Sequence, residues 1–202
     1  MTDRPEVGQV TPDPAPLPPR RAVLLLVTAL TVYALDLVTK ILVTANLEGE
    51  PPVRVLGGLV YLDLIRNSGA AFSLASGMTW LLSLVAIGVV VAIIWIMPKL
   101  RSVGWALGLG LVLAGALGNL TDRIFRAPGP LRGHVVDFVS LFGPNGEYFA
   151  VFNVADSGIS VGGVLIVLLA LLGREFDGSI IKKEPKKPKG DKPVKTEETA
   201  GE

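Results

Sequence analysis

Apolar and polar positions fall in long blocks along this chain, not in the short periods of a soluble protein. Four apolar stretches, residues 22–44, 79–97, 103–121 and 153–172, each have about the 20 residues needed to cross a bilayer core. Pro98 stops the second. Both ends are strongly polar: residues 1–21 are proline-rich, and residues 174–202 are rich in Lys, Pro and Glu. Neither composition offers enough apolar surface to offset the entropy of ordering a chain. The pattern therefore predicts a disordered N-terminal tail (1–21), one membrane domain (22–173) and a disordered basic C-terminal tail (174–202). The first span is too long for a cleaved signal peptide, and no small-x-small site follows it.

The expected fold class is an all-α integral membrane protein of four transmembrane helices, with one exception to helix. Residues 53–65, VRVLGGLVYLDLI, are β-branched and aromatic around Gly57-Gly58, which predicts a hairpin or small curled sheet at the membrane surface. The connection at 122–152 is expected to be an outer loop. Gly104-x-x-x-Gly108 and Gly158-x-x-x-Gly162 permit close helix approach, and Tyr61 and Trp80 suit the membrane interface.

Charge gives the orientation. Of the 19 Lys and Arg, 13 lie in the two tails and after the second span: Arg4, Arg20, Arg21, Lys99, Arg101, Arg174 and seven tail lysines. Five (Arg54, Arg66, Arg123, Arg126, Arg132) lie in the loops at 45–78 and 122–152, and Lys40 lies within a span. Positive residues favour the cytoplasmic side, so both termini are expected there and the two long loops outside.

Composition then removes several chemistries. With no cysteine and one histidine, disulfides, thiolate sites, a cysteine nucleophile and the usual zinc ligand sets are excluded. No Gly-x-Ser-x-Gly elbow accompanies His134. A net charge of +1 without a basic-aromatic patch gives no reason to expect nucleic acid. No metal or cofactor is expected.

Polar residues gather instead at one depth of one leaflet. Asn119, Asp122 and Arg123 lie at the outer end of span three, and Asp137 in the following loop. Asn153 and Asp156 open span four, Asn67 precedes span two, and Asp36 and Lys40 lie in the outer half of span one. Each has a structural reading. Asp36 and Lys40, four apart, can pair. Asp122 and Arg123 can cap span three and snorkel. Asn153 can cap span four, with Asp156 favoured near the positive helix end. His134 and Asp63 read as surface residues. Asp137 and Asp156, each beside apolar sequence, are harder to explain that way. If they meet, repulsion and desolvation make them share a proton, which suits one as general base for a water and the other as general acid.

The segments RNSGAAFS (66–73), GALGNLTDRIF (115–125), HVVDF (134–138) and FNVADSGI (152–159), in that order across four spans, resemble the lipoprotein signal peptidases, or signal peptidase II. The Asp36-x-x-x-Lys40 element fits as well. The resemblance covers residues 22–173. It implies a four-helix intramembrane aspartyl endopeptidase of the bacterial cytoplasmic membrane, with its site near the outer face. Such an enzyme cuts prolipoproteins just before a diacylglyceryl-modified cysteine. Asp137 and Asp156 would be the catalytic dyad. Asn67, Asn119, Arg123 and Asn153 would hold substrate, and Asp36, Lys40 and Asp122 would be mainly structural. Membrane lipid and globomycin-type inhibitors are implied partners. One departure stands out: within IFRAPGPLRGHVV (124–136), residues 126–132 look like an insertion that bulges outward.

Two other functions compete. A small proton-coupled transporter would also place carboxylates in the membrane, but it predicts polar groups through the whole depth. A non-catalytic scaffold would use the carboxylates only to cap and pair.

Overall fold

The computed structural model describes residues 17–69 and 78–181. Four helices, α1 (Ala22–Leu47), α2 (Thr79–Ile96), α3 (Val103–Phe125) and α4 (Val154–Leu171), coincide with the four apolar stretches, and all are long and apolar enough to cross a membrane. Three strands, β1 (Val53–Val55), β2 (Val60–Asn67) and β3 (Val135–Leu141), make one antiparallel sheet in the order β1-β2-β3. The expected class, four apolar helices with a small sheet, is the observed one.

The central helix is α3, which packs small buried residues such as Ala106, Gly108, Ala114 and Gly118 against its neighbours. Lipid is as apolar as the side chains, so helices associate through close van der Waals approach. A Cβ on Gly162 would stand 2.6 Å from the Gly108 carbonyl, and one on Gly158 3.0 Å from the Leu111 carbonyl. The two glycine motifs thus meet at one α3–α4 crossing. Large residues such as Leu30, Val91 and Val164 point outward from the other three helices, toward lipid. An apolar core around Leu25, Ile93, Leu100 and Leu109 closes the end of the bundle remote from the sheet.

The hairpin forms where expected. Its turn (Leu56–Gly58) puts Gly57 and Gly58 in the left-handed region, φ 67° and 100°. HVVDF, expected in a loop, instead supplies β3. Its β-branched run pairs along β2, and Val135, Val136, Asp137 and Phe138 are all buried, as a strand covered on both faces requires. The register sets Ile65 opposite Asp137 and Asn67 opposite Val135, so Asn67 and Asp137 are diagonal neighbours on one face.

Two expectations are corrected. Asp63, read as a surface residue, is 7% exposed. The register shifts between Leu62 and Ile65, and this irregularity turns Asp63 inward. Its carboxylate accepts the Asn145 N–H at 2.7 Å and the Leu64 N–H at 2.9 Å. His134, also read as surface, is part-exposed and lines a cavity with Pro128 and Arg132. The insertion at 126–132 is tied down at several points. The Gly133 N–H donates to the Arg123 carbonyl (2.9 Å), the His134 N–H to Ala127 (3.0 Å), and the Ser83 hydroxyl reaches the Leu131 carbonyl at 2.8 Å. Residues 174–181, placed with the C-terminal tail, pack under the bundle, where the Arg101 and Ser102 N–H groups donate to the Phe176 carbonyl. Residues 1–16, 70–77 and 182–202, including most of both tails and the end of RNSGAAFS, lie outside the described residues.

Candidate active site

The site rests on a buried charge assembly. Lys40 Nζ lies 2.8 Å from Asp36 Oδ2, one turn away on α1, 2.9 Å from Asp122 Oδ2 and 3.2 Å from Asn119 Oδ1. An ammonium has three hydrogens and no lone pair, so its donors are all committed. Asp36 Oδ1 accepts the Ala155 N–H at 2.9 Å, and Asp122 Oδ2 the Val136 N–H at 3.2 Å. Arg126 Nε donates to Asp122 Oδ1. Two carboxylates and two cations balance, which burial of charge demands. The assembly joins α1, α3, β3 and α4. Gly118 makes room for it, since a Cβ there would strike Asp36 Oδ2. Arg126 was missed in the sequence, although its four-residue spacing from Asp122 was a visible signal.

Three amides stand on this base, and each has its orientation imposed. Asn119 turns its oxygen to Lys40, so its Nδ2 faces Asp156 Oδ1 at 2.8 Å. Asn153 accepts the Asp156 N–H on Oδ1 (2.9 Å) as the cap of α4, so its Nδ2 faces Asp137 Oδ1 at 2.7 Å. Asn67 accepts the Gly69 N–H on Oδ1 (2.9 Å), so its Nδ2 faces Asp137 Oδ2 at 2.8 Å. The Asn153 amide also approaches Asn119 Oδ1 and the Val136 carbonyl, both at 3.2 Å. That carbonyl contact was not foreseen, because it depends on β3 being a strand.

Asp137 and Asp156 meet at this junction. Asp156 is half-buried in the first turn of α4, and its Oδ2 accepts the Asn153 N–H at 3.2 Å in a complete capping box. Asp156 therefore caps its helix, and its charge acts on Asp137. Asp137 is 2% exposed. Burial, reinforced by the Asp156 charge, pushes its carboxyl up to about 7, against the opposing hydrogen bonds from Asn67 and Asn153. A carboxylic acid that keeps its proton near neutral pH beside a second carboxyl group has the makings of general acid–base chemistry.

Arg123 is 8% exposed. It donates from Nη1 to the Asn119 carbonyl at 3.2 Å, and its charge acts on Asp156, Asp137 and Asp122. Its buried Nε has no partner among the described residues. Beside it, a cavity of about 220 Å³ lies between α2, α3 and α4, with apolar walls from Leu82, Val85, Val112, Ala116 and Ile159 and a polar end at Asn119 and Arg123. Asp137, Asp156, Asn67, Asn119, Arg123 and Asn153 are thus brought to one place, with Asp36, Lys40 and Asp122 behind them.

Known proteins match both the chain and its fold. Residues 28–172 match the family model described as Signal peptidase (SPase) II. A lipoprotein signal peptidase of Rhodococcus jostii (strain RHA1) is 58% identical over 166 residues, covering 82% of this chain and 81% of that protein. One of Mycobacterium tuberculosis (strain ATCC 25618 / H37Rv) is 50% identical over 177 residues, covering 88% and 85%. Two solved bacterial membrane enzymes share the fold. The first has a TM-score of 0.65 at 26% identity, covering 77% of this chain and 92% of the other. The second has 0.61 at 28%, covering 73% and 92%.

Proposed function

The chain belongs to the signal peptidase II family, and from that premise we propose how its site does the family's work. The protein is a multi-pass bacterial membrane peptidase that removes signal peptides from prolipoproteins. Asp137 and Asp156 are its catalytic dyad. The observation that carries this reading is the single residue Asn153, hydrogen-bonded to both carboxylates.

The signal helix enters from the bilayer and lies along the apolar groove of α2, α3 and α4, which leads to Asn119 and Arg123. The diacylglyceryl chains of the modified cysteine stay in lipid and hold the scissile bond at the outer interface. Asp156 takes a proton from a water as that water attacks the carbonyl carbon. Asp137 gives its proton to the developing oxyanion. Collapse returns a hydroxyl proton to Asp137 and passes the proton on Asp156 to the leaving amine. The free Arg123 Nε donates to a substrate carbonyl, and the fixed amides order the peptide before reaction.

Both termini face the cytoplasm, as the cations Arg20, Arg21, Lys99, Arg101 and Arg174 at the end opposite the site support. Globomycin-type peptides block the site by filling the same groove. The transporter reading finds no support, because the buried charged residues among those described (Asp36, Lys40, Asp63, Asp122, Arg123, Asp137) all sit toward one end. The test presents purified protein with a prolipoprotein in modified and unmodified form. Cleavage of the modified form alone, with a mature product beginning at the lipidated cysteine, is the expected result. Cleavage at another bond, or of both forms equally, contradicts this reading.

A further inference from the structure

Helix α2 is held differently at its two ends. Its buried residues are Ile93, toward the inner end, and Thr79 and Ser83 at the outer end. Ile93 belongs to the apolar core with Leu25, Leu100 and Leu109. No apolar residue of the outer half is buried, and two hydroxyls take their place. Thr79 Oγ1 donates to the Ser68 carbonyl, which ties the first residue of α2 to the end of β2. Ser83, one turn deeper and fully buried, donates to the Leu131 carbonyl at 2.8 Å. Its neighbour Leu82, with Val85, Ala86 and Val89, forms the α2 wall of the apolar groove.

Two features make the Ser83 tie reversible. A hydroxyl has one hydrogen, and Ser83 has a second acceptor in reach, the Thr79 carbonyl at 3.1 Å. Letting go of Leu131 therefore leaves no orphan donor in the membrane. Leu131 in turn holds φ at 62°, in the left-handed region that is unfavourable for a branched side chain. The segment around it is fastened to α3, where the Gly133 N–H donates to the Arg123 carbonyl and Arg126 pairs with Asp122. Residues 126–132 are thus a post fixed on α3, and α2 leans on it through one hydroxyl.

We propose that Ser83 and the Leu131 carbonyl form a latch that fixes the outer half of α2, and with it the width of the groove that takes the signal segment. The groove's occupant rests on the peptidase reading; the latch itself does not. Latched, α2 holds the groove already formed, so a bound segment does not have to order it. Released, α2 pivots on Ile93 and the outer mouth widens. Ser83 is a positioning residue, acting on substrate through the α2 wall and not on the aspartates.

The test reads α2 directly and then through kinetics. The chain has no cysteine, so Leu81→Cys/Val161→Cys places one spin label on an exposed position of α2 and one on α4, in the full chain in bilayer discs. This background should give one narrow distance. Adding Ser83→Ala should broaden the distribution and lengthen it by several ångströms, and Ser83→Thr, which keeps the hydroxyl, should retain the narrow distance. Leu131→Gly keeps the carbonyl and accepts the backbone conformation freely, so it should also stay narrow. In cleavage of a modified prolipoprotein, Ser83→Ala is expected to raise KM about fivefold with kcat within about twofold, and Ser83→Thr to leave both unchanged. An unchanged distance in Ser83→Ala, a broadened distance in Ser83→Thr, or a fall in kcat at constant KM overturns the proposal. Failure of wild type to cleave leaves the distances to decide on the latch and counts against the peptidase reading alone.

Discussion

Asn153 and Asp137 are joined at 2.7 Å by an amide whose direction is fixed from the other side, where Asn153 Oδ1 caps α4 by accepting the Asp156 N–H. The helix cap and the alignment of the proposed dyad therefore fall to one residue, and substitutions should separate the two. Asn153→Ser keeps a capping oxygen and loses the donor to Asp137. It is expected to hold most of the roughly 1 kcal/mol that a cap contributes, while cleavage falls by about 100-fold or more. Thermal melting beside a cleavage assay checks this, and a Ser variant with near wild-type cleavage would contradict it.

Asp137 makes stability depend on pH with a definite sign. Its carboxyl sits at about 7 in the fold against 3.8 in a model compound. Between those values the folded protein holds a proton that the unfolded chain releases, so stability falls as pH rises through that window. At ~1.4 kcal/mol per pH unit the gap corresponds to about 4 kcal/mol. Melting curves from pH 4 to 8 should show this decline in wild type and a flatter trace in Asp137→Asn.

The same proton sets the activity profile. Asp137 must be protonated to act as the acid, so cleavage should fall on the alkaline side with an apparent midpoint near 7, a value belonging to the coupled pair. A rate profile still flat through pH 9 would remove Asp137 from that role.

Lys40 is linked to Asp156 through the Asn119 amide. Lys40→Met strands Asp36 and Asp122 in the interior and is expected to cost about 3–5 kcal/mol. Adding Asp36→Asn and Asp122→Asn removes the stranded charges and should restore much of the melting temperature. Cleavage should stay low, because the Asn119 oxygen has lost the cation that turned its Nδ2 toward Asp156. Recovery of both together would reduce Lys40 to a structural part.

The α3–α4 crossing carries a packing prediction. A Cβ on Gly162 already meets the Gly108 carbonyl at 2.6 Å, so Gly162→Leu must push the helices apart. A loss of about 1–3 kcal/mol is expected, with cleavage reduced because α3 and α4 carry Asn119 and Asp156.

The sequence made legible whatever depends on local composition. The four spans follow from apolar length, the hairpin from β-branched residues around Gly57-Gly58, and the cap from Asn153 before an apolar run. The gathering of Asn67, Asn119, Asp137 and Asp156 also followed, because spans of known length deliver their ends to a known depth. Facts made by pairing between distant segments were hidden. Val135–Leu141 becomes a strand only beside β2. Asp63 turns inward only because the β2 register shifts before Ile65. Lys40 reaches Asp122 and Asn119 only because Gly118 lets α1 approach α3. The turn at residues 174–181 needs Trp105 and Arg101 from another segment to hold it.

The most direct test of the dyad is cleavage of a diacylglyceryl-modified prolipoprotein by wild type, Asp137→Asn and Asp156→Asn, side by side and each shown folded by melting. Cleavage by wild type with a loss of about 1,000-fold or more in both variants is the expected result. Near wild-type cleavage by either folded variant would show that this carboxyl is not part of the chemistry.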